Sequence, residues 1–98
     1  MNNQRKIVLQ TIERTTLTQL VTNEQYARKV LPFMKKDYFS DRTERTIFEE
    51  ITKFVDKYNK IPTQTSLEIE VQGRKDLNED DYKKVVAVIQ TLSSTDVD

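Results

Sequence analysis

The stretch YFSDRTERTIFEEITKFVDKYNKIP, residues 38–62, contains the strongest secondary-structure signal in the chain. Its apolar residues recur at the spacing of one continuous α-helical face: Ile47, Phe48, Ile51, Phe54, Val55 and Tyr58. Asp41 is a favourable N-cap, Glu44 three positions later fits a capping box, and Pro62 stops the helix. Because so wide an apolar face needs cover from other elements, we predict a central helix at residues 41–59 with the rest of the chain packed around it.

Composition favours one small domain of the all-α class. The 98 residues suffice for one hydrophobic core, and one glycine with two prolines leaves few turn signals for a hairpin-rich β fold. Sixteen basic and sixteen acidic residues cancel, which disfavours a free-standing nucleic-acid binder, because such proteins use a basic excess to neutralise phosphates. Cysteine and histidine are absent, so no disulfide, no zinc site of the usual kinds and no histidine base is expected.

Four further helices are predicted around the central one. Periodic apolar positions place them at residues 4–21, 24–31, 64–72 and 78–93. Thr22 with Gln25 forms a capping-box pattern for the second helix of the chain, and Asn78 with Asp81 begins the last. The whole chain is thus predicted to be a single domain, a compact orthogonal bundle of about five helices, with residues 94–98 starting a linker.

The segment Leu67-Glu68-Ile69-Glu70-Val71 allows a second interpretation. Its strict alternation is typical of a half-buried strand, whereas Leu67 and Val71 at i, i+4 also fit a short helix that Gly73 would end. No partner strand is evident. We therefore predict a helix, and a short irregular or strand-like segment at 67–71 is the alternative.

No arrangement of residues in the sequence points to catalysis. A single glycine cannot form a phosphate-binding loop of the known glycine-rich types. The adjacent acids Glu49-Glu50 and Asp80-Asp81 diverge by about 100° on a helix, so we expect them to be solvated. A divalent-ion site is a weaker alternative, formed by Asp37, Asp41 and Glu44. An enzyme is therefore the least favoured class, and no cofactor is predicted for this chain.

Basic and aromatic residues mix around positions 35–45, which is the composition of a single-strand stacking platform. The residues that would make a weak nucleic-acid contact are Lys35, Lys36, Arg42 and Arg45. The simpler interpretation places Tyr38 and Phe39 in the core and leaves the lysines in water. Phe33 and Met34, which precede the segment, are also expected to be buried.

A longer segment, residues 16–67, has a characteristic order of motifs. A leucine-containing first helix is followed by a short helix, an Asp-aromatic-aromatic element, a helix with Ile-Phe, an Ile-Pro pair and another short helix. The positions that carry this order are Leu17, Leu20, Asp37, Tyr38, Phe39, Ile47, Phe48, Ile51, Ile61, Pro62 and Leu67. It resembles the N-terminal domain of the DnaB family of hexameric replicative DNA helicases, in the divergent version of large tailed bacteriophages.

The resemblance implies a non-catalytic head that packs into a collar on a motor ring, supports hexamer formation, and receives primase and helicase-loader proteins. ATP and Mg would belong to the motor domain of the parent helicase, and DNA would be contacted only through the full-length protein. The helical hairpin that follows the head in the family does not fit in this chain. As a fragment, the chain is expected to be a monomer or weak homodimer, and only the parent helicase is expected to form a hexamer. Both are expected in the host bacterial cytoplasm.

Four apolar residues that lie off the main stripe of their helices are candidates for a protein interface: Val8, Leu9, Val21 and Val88. They would equally well extend the core. Residues 1–15 reach beyond the usual start of the family and are expected to lengthen the first helix. The functions under comparison are an assembly and docking module, a small DNA-binding or replication accessory protein, and a catalytic domain.

Overall fold

A computed structural model describes the backbone of residues 3–92 and the side chains of residues 12–92. It contains five α-helices: α1 (Asn3–Thr22), α2 (Glu24–Val30), α3 (Arg42–Tyr58), α4 (Gln64–Gln72) and α5 (Glu79–Ile89). Two 3-10 turns, Leu31–Phe33 and Lys36–Tyr38, connect α2 to α3. Residues 3–92 contain no strand, so the all-α prediction is confirmed and the strand alternative at 67–71, inside α4, is wrong. No described helix is long and apolar enough to cross a membrane.

Side-chain caps set the starts of the helices. The N-caps of α3, α4 and α5 are Asp41, Thr63 and Asn78, each accepting a hydrogen bond from a backbone N–H in the first turn. The capping box predicted at Thr22 is wrong, because Asn23 caps α2 by accepting from the Tyr26 N–H at 3.0 Å. The Thr22 hydroxyl instead donates to the Thr18 carbonyl within α1. Asn is at least as strong an N-cap as Thr, and Asn23 has the extended backbone that a cap requires.

The C-terminus of α3 is closed by Asn59, which adopts the left-handed conformation at φ 56°. Asn tolerates this conformation better than most residues with a side chain. Arg28 of α2 donates to the Asn59 backbone carbonyl at 2.8 Å and to its side-chain oxygen at 3.2 Å. The end of α3 is therefore fastened to α2 three residues before Pro62, the residue that the sequence indicated as the stop.

The core forms around α3, which contacts α1, α4 and α5. Ile47 and Ile51 are completely buried, and the Phe48 ring lies 5.2 Å from the Phe39 ring. The residues that the other helices contribute to the core include Leu17, Leu20, Leu67, Val71, Val85 and Ile89. The C-terminal part of the α3 stripe is less covered, because Tyr58 is 45% exposed. The prediction that α3 is the centre of the fold is confirmed.

The two ends of the chain differ slightly from the predicted helix bounds. Helix α5 ends at Ile89 rather than at residue 93, yet Leu92 is fully buried, as its place in the predicted stripe required. The Leu92 N–H donates to the Ile89 carbonyl at 3.0 Å, which is the tighter bonding pattern of a 3-10 turn. At the other end α1 begins at Asn3, so the N-terminal residues do lengthen the first helix. The linker predicted at 94–98 lies outside the described residues.

Two predictions about burial are wrong in the connection between α2 and α3. Phe33 is 76% exposed and Tyr38 is 57% exposed, whereas their neighbours Met34 and Phe39 pack in or against the core. Phe33 and Tyr38 are the last residues of their 3-10 turns, whereas Met34 and Phe39 follow with extended backbone, so the backbone conformation changes between the two members of each pair. One residue of each adjacent pair is therefore turned towards solvent.

Candidate interaction surfaces

The basic–aromatic segment lies on the two 3-10 turns and the first turns of α3. Its predicted nucleic-acid contacts are Lys35, Lys36, Arg42 and Arg45, of which the first three are exposed and the last is half-buried. Lys36 Nζ lies 3.8 Å from Glu49, and Arg42 Nη1 lies 3.3 Å from Asp81 on α5. The fold therefore places acids from α3 and α5 beside two of the four cations, and this lowers the positive charge that the segment presents.

Two exposed aromatic side chains bracket the lysines of this segment. We use the term ridge for Phe33, Lys35, Lys36 and Tyr38, which follow one another along the two 3-10 turns. More than half of each aromatic side chain is exposed, and interfaces are enriched in aromatic residues surrounded by a polar rim. The sequence singled out the lysines but assigned both aromatic residues to the core.

The chain on either side of Phe33 lines two grooves against α3. The first, which we call the α2 groove, has a volume of about 390 Å³ and is lined by Arg28, Leu31, Pro32, Thr52, Val55 and Asp56. The second, the lysine groove, also has about 390 Å³, and its lining includes Met34, Lys35, Lys36, Phe48, Thr52 and Lys53. Thr52 lines both grooves, so they meet on the surface of α3. No signal in the sequence pointed to either groove.

Arg74 ties the connection between α4 and α5 to α3 beside the lysine groove. Its guanidinium donates to Glu50 at 2.8 Å, to Glu49 at 3.3 Å and to Asp76 at 2.7 Å. Glu50 is only 2% exposed, so the prediction that it lies on the solvent-exposed face of α3 is wrong. The hydrogen bonds that Arg74 donates to Asp76 and Glu50 raise the pKa of Arg74, and the hydrogen bond that Asp76 accepts from Arg74 lowers the pKa of Asp76 to about 2. A buried carboxylate is stabilised here by a cation from a distant part of the chain.

Glu44 connects α3 to α1 and does not complete the predicted capping box. Its side chain is 1% exposed, and Oε2 accepts a hydrogen bond from Arg14 Nε at 2.9 Å. Oε1 has no hydrogen-bond partner among the described residues. The neighbouring carboxylate of Glu13 is an acceptor too, occupied by the N–H and hydroxyl of Ser40 at 3.2–3.4 Å. Burial raises the pKa of Glu44, Glu13 raises it further, and Arg14 opposes the shift.

Glu44 should make the stability of the domain depend on pH. The pKa of Glu44 in the folded state lies above the ordinary value of 4.5. Between these two pKa values the folded state binds more protons than the unfolded state, so stability falls as pH rises from the lower value to the higher. Glu44→Gln removes the ionisation, so the variant should gain stability relative to the unchanged protein as pH rises above 4.5. Urea unfolding at several pH values measures this, with Glu79→Gln, at a side chain 80% exposed, as the control for lost charge. A pH-independent difference for Glu44→Gln would contradict it.

Two of the four predicted interface residues are largely removed from solvent. Val21 is 9% exposed within the core, and Val88 is half-buried and packs against it. Both positions thus follow the core alternative that the sequence left open. Val8 and Leu9 lie on α1, but outside the residues whose side chains the structure describes. An interface role for these four residues stays a prediction.

The acids proposed as a divalent-ion site do not form one. Asp41 caps α3 by accepting from the Thr43 N–H at 2.8 Å, while Glu44 pairs with Arg14. Within residues 12–92, no group of three or more acidic side chains could hold a metal ion. Asp41 thus caps its own helix, and Glu44 joins α3 to α1.

The chain was compared with known families and proteins. The DnaB-like helicase N terminal domain, as a family model, matches residues 6–97. A DnaB-like replicative helicase of Enterobacteria phage T4 is 26% identical over 82 residues, covering 84% of this chain but 17% of the length of that protein. No solved structure matches significantly. Since the family match extends over nearly the whole chain, this protein belongs to the DnaB-like helicase N-terminal domain family.

Proposed function

We propose that this domain is a non-catalytic assembly and docking module of a replicative DNA helicase. In that role it would support the collar of a hexameric ring and receive primase or a helicase loader during DNA replication. ATP and Mg would act in the motor domain of the parent protein, which would work in the cytoplasm of the host bacterium. Family membership supports the setting, and the observation that carries the docking role is the ridge with its two exposed aromatic residues.

The ridge suits protein contact because apolar side chains and charges alternate over a short distance. Phe33 and Tyr38 could each be desolvated by a partner, and Lys35 and Lys36 would remain at the polar rim. The core behind the ridge is fully packed, with Phe39 at 2% and Phe48 at 5% exposure. A rigid support of this kind lets exposed side chains bind without a large loss of conformational entropy.

Docking is tested by mixing the domain with the primase and the helicase loader encoded by its source genome. We expect at least one of them to co-migrate with the domain in size-exclusion chromatography. Phe33→Ala/Tyr38→Ala should weaken that complex about tenfold or more, because truncating central aromatic side chains commonly costs more than 1 kcal/mol each. Ile69→Ala, a truncation at a side chain 61% exposed on α4, is the control. The absence of binding to both proteins would contradict the docking role.

The oligomeric state of the 98-residue chain gives a second test. We expect a monomer or weak homodimer, because its exposed large apolar side chains in the described part, including Ile12, Phe33 and Ile69, are distributed over different elements. A stable hexamer needs interfaces of more than about 1,000 Å² each. Sedimentation at about 50 µM distinguishes these states, since a dimer with a micromolar dissociation constant would be largely assembled there. A stable hexamer formed by this chain alone would contradict the expectation.

A DNA-binding or replication accessory function is the second candidate, and the exposure of Phe33 and Tyr38 favours it. Exposed aromatic rings beside lysines can stack on single-stranded bases. Against it stand the balanced charge of the chain and the pairing of Arg42 with Asp81. Salt-dependent binding of an oligonucleotide that is lost in Lys35→Glu/Lys36→Glu would establish this function. We expect no binding at low salt and no ATPase activity above background.

A further inference from the structure

We propose that the lysine groove binds an acidic segment of a partner protein, with one large apolar side chain of that segment seated in the groove. The inference rests on the proposed docking function, because it names the chemistry of a docking partner. Three observations carry it: an apolar floor, a rim of exposed lysines, and carboxylates at the groove that disfavour a nucleic acid.

The floor of the groove is apolar and rigid. Met34 is half-buried, and Phe48 is 5% exposed and belongs to the core. The Thr52 hydroxyl donates to the Phe48 carbonyl at 3.0 Å, so this donor is already used within α3. A volume of about 390 Å³ is within the range of about 300–1,000 Å³ that is usual for ligand sites. One leucine or phenylalanine side chain of a partner can be accommodated against such a floor.

The rim carries lysines that are free to meet a partner carboxylate. The side chains of Lys36 and Lys53 are 63% and 66% exposed, but Lys53 already pairs with Glu50 at 3.2 Å, so Lys35 and Lys36 are the lysines available to a partner. Lys36 has an acid only at 3.8 Å, close to the limit for an ion pair, and Lys35 makes no ion pair with any acid in residues 12–92. Exposed pairs of this kind contribute little to stability, so exchanging the Glu49 contact for a partner carboxylate has a low cost. Charge complementarity therefore favours an acidic segment over a neutral or basic one.

The acids at the same groove argue for a peptide rather than a nucleic acid. Glu49 and Arg74 line the groove, and Arg74 carries two further carboxylates, Glu50 at 2.8 Å and Asp76 at 2.7 Å. A continuous phosphate backbone would pass close to these carboxylates, whereas a peptide can place its acids only where the lysines are. The aromatic residue of the floor, Phe48, is too buried to offer its face to a base. The surface therefore fits discrete carboxylates around an apolar anchor.

The two grooves share Thr52, which extends the surface available to the same partner. Leu31 and Val55 give the α2 groove an apolar lining, and Arg28 adds a cation with a side chain 47% exposed. A partner helix could seat one apolar residue in each groove, since residues three or four apart lie on one helix face. In the sequence, the exposed Phe33 stands between Pro32, which lines the α2 groove, and Met34, which lines the lysine groove.

The probe is a fluorescein-labelled amphipathic peptide of about 15 residues, in which leucine and phenylalanine recur at helical spacing among glutamates. Its binding to the 98-residue chain is followed by fluorescence anisotropy. Three comparison probes are the same peptide with alanine at the apolar positions, the same peptide with lysine for glutamate, and a single-stranded oligothymidine of similar length. We expect the acidic peptide to bind at least about tenfold more tightly than each of the others, which corresponds to about 1.4 kcal/mol.

Variants locate the binding site. Lys35→Glu/Lys36→Glu should weaken the acidic peptide at least about tenfold, because both rim charges are reversed. Lys83→Glu/Lys84→Glu on α5 changes the charge equally, at lysines that do not line the groove, and should leave affinity within about twofold. Thr52→Arg, which fills the junction of the grooves, should also abolish binding. Circular dichroism checks that each variant is folded.

Several outcomes would overturn the proposal: equal losses in the two lysine pairs, tighter binding of the oligothymidine, or no saturable binding of the acidic peptide up to about 1 mM. Retained affinity in Thr52→Arg would also exclude the groove. If the peptide fails to bind while primase or the loader still co-migrates with the domain, the groove assignment falls and the docking function stands. If neither the peptide nor these proteins bind, both fail.

Discussion

Ile51→Ala is expected to lower the free energy of unfolding by about 3–4 kcal/mol. The side chain is 0% exposed and belongs to the core that α3 forms with α1, α4 and α5. Truncation removes buried apolar surface and leaves a cavity that close-packed neighbours can fill only in part. A domain of this size has a total stability of about 5–10 kcal/mol, so roughly half would be lost.

Urea unfolding followed by circular dichroism measures this effect. The control is Ile69→Ala, the same substitution on α4 at a side chain 61% exposed, which should change stability by less than about 0.5 kcal/mol. If both variants lost the same stability, the central position of α3 in the core would be contradicted. A loss confined to Ile51→Ala would establish that the apolar face of α3 organises the fold.

Arg74→Ala should have the second-largest effect, a loss of about 2–4 kcal/mol. Removing the guanidinium leaves Glu50, which is 2% exposed, with Lys53 at 3.2 Å as its remaining cation. Removing the closest cation of a buried carboxylate is far more costly than the loss of a surface ion pair, although Lys53 offsets part of the cost. Asp76 also loses the hydrogen bond that lowers its pKa to about 2. That depressed pKa stabilises the fold above pH 3.8, and the stabilisation is lost as pH falls towards 2.

Two further variants identify the source of this loss. Arg42→Ala breaks the exposed pair with Asp81, at 3.3 Å, and should cost less than about 1 kcal/mol. Glu50→Gln combined with Arg74→Ala should recover part of the stability, because the buried charge is then absent. Strictly additive losses in the double variant would show that Arg74 and Glu50 do not act as a pair.

The secondary structure was predictable because its signals are local. The apolar periodicity of α3, its N-cap Asp41 and the Asn78 cap of α5 each depend on residues a few positions apart. The segment at 67–71 had two interpretations, and the tertiary structure selected the helix because Leu67 and Val71 at i, i+4 reach the same core. Strict alternation over five residues is too short a signal to decide between the two.

Much of the candidate interaction surface was beyond prediction for the opposite reason. Lys35 and Lys36 were singled out from composition, but the floor of their groove joins Met34 to residues of α3 that lie 14 and 18 positions further along the chain, Phe48 and Thr52. Phe33 is 76% exposed at the end of a 3-10 turn, although its hydrophobicity predicted burial. Periodicity and composition cannot reveal which distant residues will share a surface.

The sequence by itself determined the five helices, the caps Asp41 and Asn78 and the resemblance to the DnaB family, because helix formation and motif order depend on neighbouring residues. Only the tertiary structure decided which charged side chains are buried and which aromatic side chains are exposed. The sequence indicated Glu44 as a capping-box residue and Glu50 as a solvated acid, but both are buried and bonded to Arg14 and Arg74, which lie 30 and 24 positions away. A carboxylate can leave water only when such a partner is present, and that depends on the packing of the whole chain.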